Sequence, residues 1–262
     1  TPNEMNSGRR SDILIVAATT ASFPNLSLSD ALQRIADLEY TAVEIAITDD
    51  SNHITPADVS RDRNDAHAIL RKSHRLEVTS FELGIQATGE EHYKQFEDIC
   101  ELARISKVVT LNVPSAELGT PFNEEVEHLR RLVQIADDYG AKVCIRNQSG
   151  RQASDPDTIK VLCDNVDNLG LAYDPSIYIC GPDAGKDTDK VQPYVGHVYL
   201  RDTSPSEFQV KVGQGEVDYG RVLSELMAAG YRRALCVDVA ETPDTEHFAE
   251  MRKMRLLLES LL

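Results

Sequence analysis

The sequence predicts an α/β fold, a single closed (β/α)8 barrel, and three observations lead to this prediction. Short apolar segments typical of buried parallel strands alternate with amphipathic helical segments along the whole chain. The length of 262 residues is normal for one barrel. No Gly-x-Gly-x-x-Gly turn follows the first strand, which argues against an open dinucleotide-binding sheet. The predicted strands are Ile13–Ala17, Ala42–Ala46, Val78–Phe81, Val108–Leu111, Val143–Ile145, Leu169–Ala172, Val198–Leu200 and Leu235–Val239.

The segments between these strands carry helical signals. Leu32, Ile35 and Leu38 repeat at helical spacing after the first strand, and similar repeats follow the later strands. Pro121 favours the start of a helix and Gly140 its end. We therefore expect one crossover helix after each of the eight strands. Right-handed βαβ units of this length curve into a cylinder, so the sheet should close; an open doubly wound sheet is the alternative.

Composition restricts the classes of partner. The chain has 27 basic and 43 acidic residues, a net charge of −16, and such a surface repels phosphate backbones. No apolar run approaches the roughly 20 residues of a membrane span. The five cysteines form no Cys-x-x-Cys pair, which is typical of a reduced, cytoplasmic protein. We therefore expect neither nucleic acid nor membrane as a partner.

The domain organisation is simple. Residues 1–11 are polar and are predicted to be a disordered lead-in, whereas 12–262 form one barrel domain without an internal linker. The sequence does not set the oligomeric state, so a homo-oligomer is left open.

The most informative motifs lie in the C-terminal half. The segment His197-Val-Tyr-Leu-Arg-Asp202 is a short strand that ends in charge, and Gly213-Gln-Gly-Glu-Val-Asp218 follows it before a helix. Parallel barrels keep their active sites at such strand ends. These motifs resemble the C-terminal signature of the xylose isomerase-like TIM-barrel family, the sugar-phosphate isomerases and epimerases. The resemblance implies a divalent ion held by glutamate, aspartate, histidine and glutamate from strands five to eight.

The resemblance is incomplete at these four positions. Arg146 stands in the place of the first glutamate, Asp174 keeps the aspartate, Tyr199 replaces the histidine and Asp238 replaces the second glutamate. A guanidinium that is always charged does not share a small cavity with a divalent ion. We expect Arg146 to supply the positive charge instead, paired with the two aspartates. The alternative is a decayed site in which Arg146 faces solvent.

No bound cofactor is therefore expected. If a divalent metal (Mg, Mn or Zn) does bind, Asp174 and Asp238 are its expected ligands.

Further polar side chains are expected on the same face. Glu82 follows Phe81 at a strand end and is a candidate catalytic base, beside the catalytic candidates Arg146, Asp174, Tyr199 and Asp238. The candidates for substrate binding are Asn147, Gln148, Arg201, Glu44 and His53. Three of these assignments have alternatives. Glu44 is structural if it is buried, and His53 is a solvent-exposed loop residue if it does not act. Arg201 and Asp202 either pair with each other or cap a loop, or Arg201 binds an anionic group of the substrate.

The remaining histidines are expected away from the site. His197 should lie at the start of its strand, at the end of the barrel that serves stability. The others lie on predicted helices, where surface positions are expected: His67, His74, His92, His128 and His247.

Two functional hypotheses follow. The first is a sugar or polyol isomerase, epimerase or dehydratase that acts on a small polyhydroxy-carbonyl compound, without the usual metal of the family. Such an enzyme removes a proton next to a carbonyl and stabilises the enolate. The second is a non-catalytic descendant that binds a small molecule as a sensor or scaffold; the loss of metal ligands favours it, and the many polar groups at the strand ends favour the enzyme.

Overall fold

The computed structural model describes residues 14–73 and 75–262 and contains a closed barrel of eight parallel strands. Neighbours in the sheet follow chain order, and the last strand pairs with the first in the register Val16↔Leu235. The predicted fold is confirmed. The predicted lead-in 1–11 lies outside the described residues. The strands are β1 Ile15–Thr19, β2 Ala42–Thr48, β3 Glu77–Gly84, β4 Thr110–Pro114, β5 Lys142–Arg146, β6 Gly170–Tyr173, β7 Val195–Leu200 and β8 Ala234–Val237.

The helices differ from the expected single helix per crossover. The connection from β2 to β3 holds two helices, because Asp62 has an extended backbone (φ −153°) and caps the second of them. The connection from β6 to β7 holds the 3₁₀ segments Pro175–Tyr178 and Asp189–Tyr194 in place of an α-helix. Gly181 and Gly185 have positive φ values of 105° and 81° there, which a helix cannot accommodate. The helices are α1 Leu28–Asp37, α2 Pro56–Arg61, α3 Arg63–Leu70, α4 Gly89–Ser106, α5 Phe122–Asp138, α6 Pro156–Asn165, α7 Tyr219–Ala228 and α8 His247–Glu259.

The length and hydropathy of the helices can be compared with those of a membrane span. In residues 14–73 and 75–262, no helix is both long and apolar enough to cross a bilayer.

The interior of the barrel is filled in layers, as alternation along the strands requires. Ala17, Ala42 and Ala234 pack together near the amino-terminal end of the strands. A second buried group, Cys144, Ala172, Tyr199 and Cys236, lies further along the strands. The next inward residues of β5 to β8 toward the carboxyl end are Arg146, Asp174, Arg201 and Asp238, so the candidate site begins directly beyond this group.

Candidate active site at the carboxyl ends of the strands

Arg146, the last residue of β5, lies at the centre of a cluster of charged side chains. Its Nη1 donates to Glu82 Oε1 at 2.7 Å, and its Nη2 donates to Asp238 Oδ2 at 2.5 Å and lies 3.5 Å from Asp174 Oδ2. Only 15% of the Arg146 side chain is exposed. The arginine therefore points into the barrel, and the alternative of a solvent-facing Arg146 is wrong.

The aromatic ring of Tyr199 packs against the face of this guanidinium. The Cζ atom of Arg146 lies 3.9 Å from the centroid of the Tyr199 ring, which is a cation–π contact. Tyr199 is fully buried, and burial raises the pKa of its hydroxyl well above the ordinary value, with Glu44 and Glu82 adding to the effect. Tyr199 is therefore a neutral phenol that positions Arg146 and has no solvent-facing surface of its own.

A second guanidinium, from Arg201 directly after β7, completes the cluster. Its Nη2 donates to Asp174 Oδ2 at 2.9 Å and to Asp238 Oδ2 at 2.6 Å. Its Cζ lies 4.6 Å from the centroid of the Phe208 ring. Glu82, Arg146, Asp174, Arg201 and Asp238 are named the mouth cluster below.

Asp202 does not pair with Arg201, but it caps a loop, the other possibility expected for this pair. Its Oδ2 accepts hydrogen bonds from the backbone amides of Gly213 and Gly215, at 2.7 and 3.0 Å. A Cβ atom on Gly215 would lie 2.1 Å from Asp202 Oδ1. Glycine is required at 215 because the loop backbone approaches the carboxylate so closely.

The pKa values of two carboxyl groups in the mouth cluster are shifted in opposite directions. Burial alone would raise the pKa of Asp238, but Arg201 and Arg146 lower it to about 2. Burial raises the pKa of Glu82 to about 7; Arg146 opposes this effect, and the neighbouring Glu44 and Asp238 add to it. Asp238 is thus an anion at neutral pH, while Glu82 exchanges its proton near neutrality.

Asn147 and Gln148 take different positions. Asn147 is 1% exposed, and its amide accepts from the Asp174 backbone N–H at 2.6 Å and donates to the Asp174 carbonyl at 2.7 Å. Both polar ends thus position Asp174, and the buried amide is out of reach of a substrate. Gln148 is exposed at the rim, where a ligand could reach it.

Glu44 and His53 lie outside the mouth cluster. Glu44 is fully buried one layer deeper, where it accepts from Ser80 Oγ at 2.7 Å and Asn112 Nδ2 at 2.8 Å. This burial matches the structural alternative for Glu44. The Nε2 atom of His53 lies 3.0 Å from the Phe23 carbonyl oxygen, and burial lowers the pKa of this histidine. His53 therefore fixes the loop after β1.

The surface positions expected for the helical histidines are wrong in several cases. His92 and His128 are half-buried and line a cavity of about 360 Å³ between α4 and α5, with ring centroids 5.2 Å apart. His247 is also half-buried, with Nε2 2.8 Å from the Ser22 carbonyl oxygen. His67 is partly buried, and its Nδ1 lies 3.1 Å from Ser106 Oγ. His74 lies outside the described residues.

His197 was expected at the start of its strand but is the third residue of β7. The strand begins at Val195, so alternation points His197, Tyr199 and Arg201 into the barrel. His197 is 2% exposed, and its Nε2 lies 3.0 Å from Glu44 Oε2. Sequence reasoning missed this contact; the polar residues at 197, 199 and 201 were the available signal.

These features define a parallel (β/α)8 barrel with a polar site at the carboxyl ends of its strands. The sequence model described as the xylose isomerase-like TIM barrel matches residues 32–257, so the chain belongs to this family.

A protein of related sequence and two solved structures illustrate what this chain is similar to. An uncharacterised protein of Methanocaldococcus jannaschii is 22% identical over 251 residues, which covers 87% of this chain and 84% of that protein. A xylose isomerase-like TIM barrel protein from Mycobacterium smegmatis, solved in complex with magnesium, is 16% identical with a TM-score of 0.75, covering 98% of this chain and 100% of that one. D-allulose 3-epimerase from Methylomonas sp. is 12% identical with a TM-score of 0.74, covering 96% and 99%. At these identities the solved structures establish a shared fold.

The mouth cluster does not fit the divalent metal that the family resemblance implies. The Oδ2 atoms of Asp174 and Asp238, the carboxylates at two ligand positions, both bond to the guanidinium of Arg201. The other two ligand positions hold Arg146 and Tyr199, a cation and a buried phenol. A hard divalent ion requires several free oxygen ligands, and two guanidinium groups compete directly with it for these carboxylates.

Proposed function

We propose that this protein is an isomerase or epimerase of a small sugar or polyol, and that two arginines take the place of a metal at its site. The observation that carries the proposal is Glu82, a carboxyl group with a pKa raised to about 7 that contacts Arg146 at 2.7 Å and is 20% exposed. A general base works best when its pKa lies near the operating pH. The fold shared with D-allulose 3-epimerase supports the same class of chemistry.

The proposed reaction assigns one role to each member of the mouth cluster. Glu82 takes the proton from the carbon next to the substrate carbonyl, and the bonding electron pair moves onto the carbonyl oxygen. Arg146 and Arg201 donate hydrogen bonds to that developing enolate oxygen. Glu82 then returns the proton to the former carbonyl carbon while the hydroxyl proton of the neighbouring carbon moves to the enolate oxygen, so that carbonyl and hydroxyl exchange places and the isomerisation balances. An epimerisation would instead require delivery of the proton to the opposite face of the enediolate. Asp174 and Asp238 hold the two guanidinium groups in place.

The charge of the mouth cluster points to a neutral substrate. With Glu82 ionised, three carboxylates face two guanidinium groups, a net charge of −1. A phosphate ester would add repulsion from these carboxylates. We therefore propose a neutral polyhydroxy ketone or aldehyde as the substrate class.

A second candidate, a non-catalytic binder of small polyols, is favoured by one observation. Every carboxylate of the mouth cluster already pairs with a guanidinium, at 2.5 to 2.9 Å for the closest contact of each. A closed network of this kind can serve recognition without proton transfer.

Exchange of substrate hydrogen with solvent distinguishes the two candidates. The protein is incubated with a panel of neutral ketoses and aldoses in D₂O, and loss of the C–H signal next to the carbonyl is followed by proton NMR. We expect exchange with the parent, and a rate lowered at least about 100-fold in Glu82→Gln, the usual effect of removing a general base. Glu117→Gln, at an exposed glutamate, is the control.

Two outcomes would contradict the enzyme proposal. Ligand binding in saturation-transfer NMR without any exchange would support the non-catalytic binder. Exchange that appears only after addition of Mg2+ or Mn2+ would contradict the replacement of the metal by arginine.

A further inference from the structure

Three side chains of metal-binding type meet inside the barrel, beneath the mouth cluster. They are Glu44 of β2, His197 of β7 and Cys236 of β8, named the interior cluster below. The Nε2 atom of His197 lies 3.0 Å from Glu44 Oε2, and Cys236 Sγ lies 3.9 Å from Glu44 Oε1. All the ligand atoms lie within 4.8 Å of one another, and the three residues are at most 2% exposed.

The contact between His197 and Glu44 is close enough for an ion pair but lacks the alignment of a hydrogen bond. Despite the 3.0 Å separation, His197 Nε2 has no aligned hydrogen-bond partner among the described residues. Asn112 Oδ1 and the Tyr199 hydroxyl, both close to this cluster, are likewise buried without a partner within residues 14–73 and 75–262. Buried polar groups are ordinarily paired, so three unpaired atoms at one place point to a missing partner.

We propose that Glu44, His197 and Cys236 bind a structural zinc ion. Zinc bonds of about 2.0 Å to oxygen and nitrogen and about 2.3 Å to sulfur, in a tetrahedron, place N and O about 3.3 Å apart and S and O about 3.5 Å apart. The observed separations are 3.0 Å from His197 Nε2 to Glu44 Oε2 and 3.9 Å from Cys236 Sγ to Glu44 Oε1, each within about 0.4 Å of these values but made to different oxygens of the carboxylate. The Glu44 carboxylate would therefore have to turn for one oxygen to serve both contacts, or bind the ion through both oxygens. The fourth position is filled by an oxygen, from water or from a neighbouring side chain.

The ligand types select zinc rather than the hard ions of the family. Thiolate and imidazole favour Zn2+, whereas Mg2+ and Mn2+ favour carboxylate and water. Binding releases the thiol proton of Cys236 to solvent, and the resulting thiolate and the Glu44 carboxylate together neutralise the ion. A neutral complex is the form that a buried interior accepts. The ion would join β2 to β7 and β8 without contact to substrate.

One member of the interior cluster, His197, borders a cavity at the end of the barrel opposite the mouth. A cavity of about 280 Å³ opens at the amino-terminal face of the barrel, and His197 forms part of its wall with Thr79, Thr110, Gly196 and Ala234. The approach to His197 on this side is separate from the mouth cluster, although Lys107, Arg232 and Arg233 also line it. The inference does not rest on the proposed enzymatic function.

Direct metal binding by the full chain tests the proposal. The metal-free protein is dialysed against zinc and analysed for bound metal, and cobalt(II) is used as a spectroscopic substitute. We expect one equivalent of zinc and a thiolate-to-cobalt charge-transfer band in the parent. Cys236→Ser should lose the band and at least about ten-fold in zinc affinity. Cys144→Ser, at another fully buried strand cysteine, should retain both.

Further variants keep the test decisive. Should Cys236→Ser fail to fold, the parent's cobalt band and the variant His197→Asn still decide the matter. Asp238→Asn, in the mouth cluster, should keep its zinc. A parent that binds no zinc and shows no cobalt band would overturn the proposal, as would full zinc retention by Cys236→Ser. Loss of zinc in Asp238→Asn alone would place the metal in the mouth, against both the zinc proposal and the proposed metal-free site.

Discussion

Replacement of Glu82 by glutamine gives a quantitative test of the electrostatics of the mouth cluster. The pKa of Glu82 is raised to about 7 in the folded state, compared with about 4.3 in an unfolded chain. The folded state therefore holds this proton more tightly, so the stability contribution is greatest below pH 4.3 and is lost as pH rises to 7. Glutamine does not titrate, so Glu82→Gln lacks this pH dependence.

The magnitude follows from the two pKa values. Between pH 5 and pH 8 the linkage relation gives a loss of about 2.6 kcal/mol for the parent relative to the variant. The Glu82 side chain is 20% exposed, and solvent screening reduces the expected loss to about 2 kcal/mol. A difference of that size moves the melting temperature of a chain of this length by roughly 4–8 °C.

Urea unfolding at the two pH values is the measurement. The free energy of unfolding of the parent should fall by about 2 kcal/mol more than that of Glu82→Gln between pH 5 and pH 8. Glu117→Gln, at an exposed glutamate, should behave as the parent does. A constant difference between parent and Glu82→Gln across this range would refute the raised pKa and with it the assignment of Glu82 as a base.

Three further predictions concern the mouth, the loop after β7 and the surface. Arg146→Glu places four carboxylates against one guanidinium, so Mn2+ at about 100 times its Kd should stabilise the variant by about 2.7 kcal/mol. Calorimetry should then show a melting-point rise of roughly 5–10 °C for the variant and none for the parent. Gly215→Ala should lower the free energy of unfolding by about 1–3 kcal/mol, because its Cβ would lie 2.1 Å from Asp202 Oδ1; Gly220→Ala, with its nearest atom at 3.6 Å, should not. With a net charge of −16, the protein should show no salt-sensitive retention of duplex DNA in a filter-binding assay.

The sequence predicted the strands well and the connections less well. Apolar runs mark a strand wherever both of its faces are buried, which holds all around a closed barrel. The helix expected between β6 and β7 is not formed, because Gly181 and Gly185 adopt positive φ values there. The dipeptide Gly181-Pro182 and the nearby Gly185 are turn signals, so the residue types already argued against a helix and the expectation gave them too little weight.

For the candidate site, the sequence predicted the neighbours of those residues that lie at the ends of strands. Arg146 was expected beside Asp174 and Asp238, and the closed barrel brings all three together. The pairing of Glu44 with His197 was not foreseen, since it depends on where β7 begins and on the register around the barrel. Such contacts join residues far apart in the sequence, and local patterns carry no information about them.

The two guanidinium groups of the mouth cluster also restrict how a ligand can be held. A bound metal exchanges its water ligands one by one and adapts its coordination to different oxygen patterns. A guanidinium offers N–H groups at fixed angles in one plane and keeps its charge at any physiological pH. Hydrogen bonds to carboxylates fix the orientation of both guanidinium planes. The mouth should therefore discriminate between stereoisomers by the direction of its N–H groups rather than by chelation. Its charge would also be unaffected by the supply of metal in the cell.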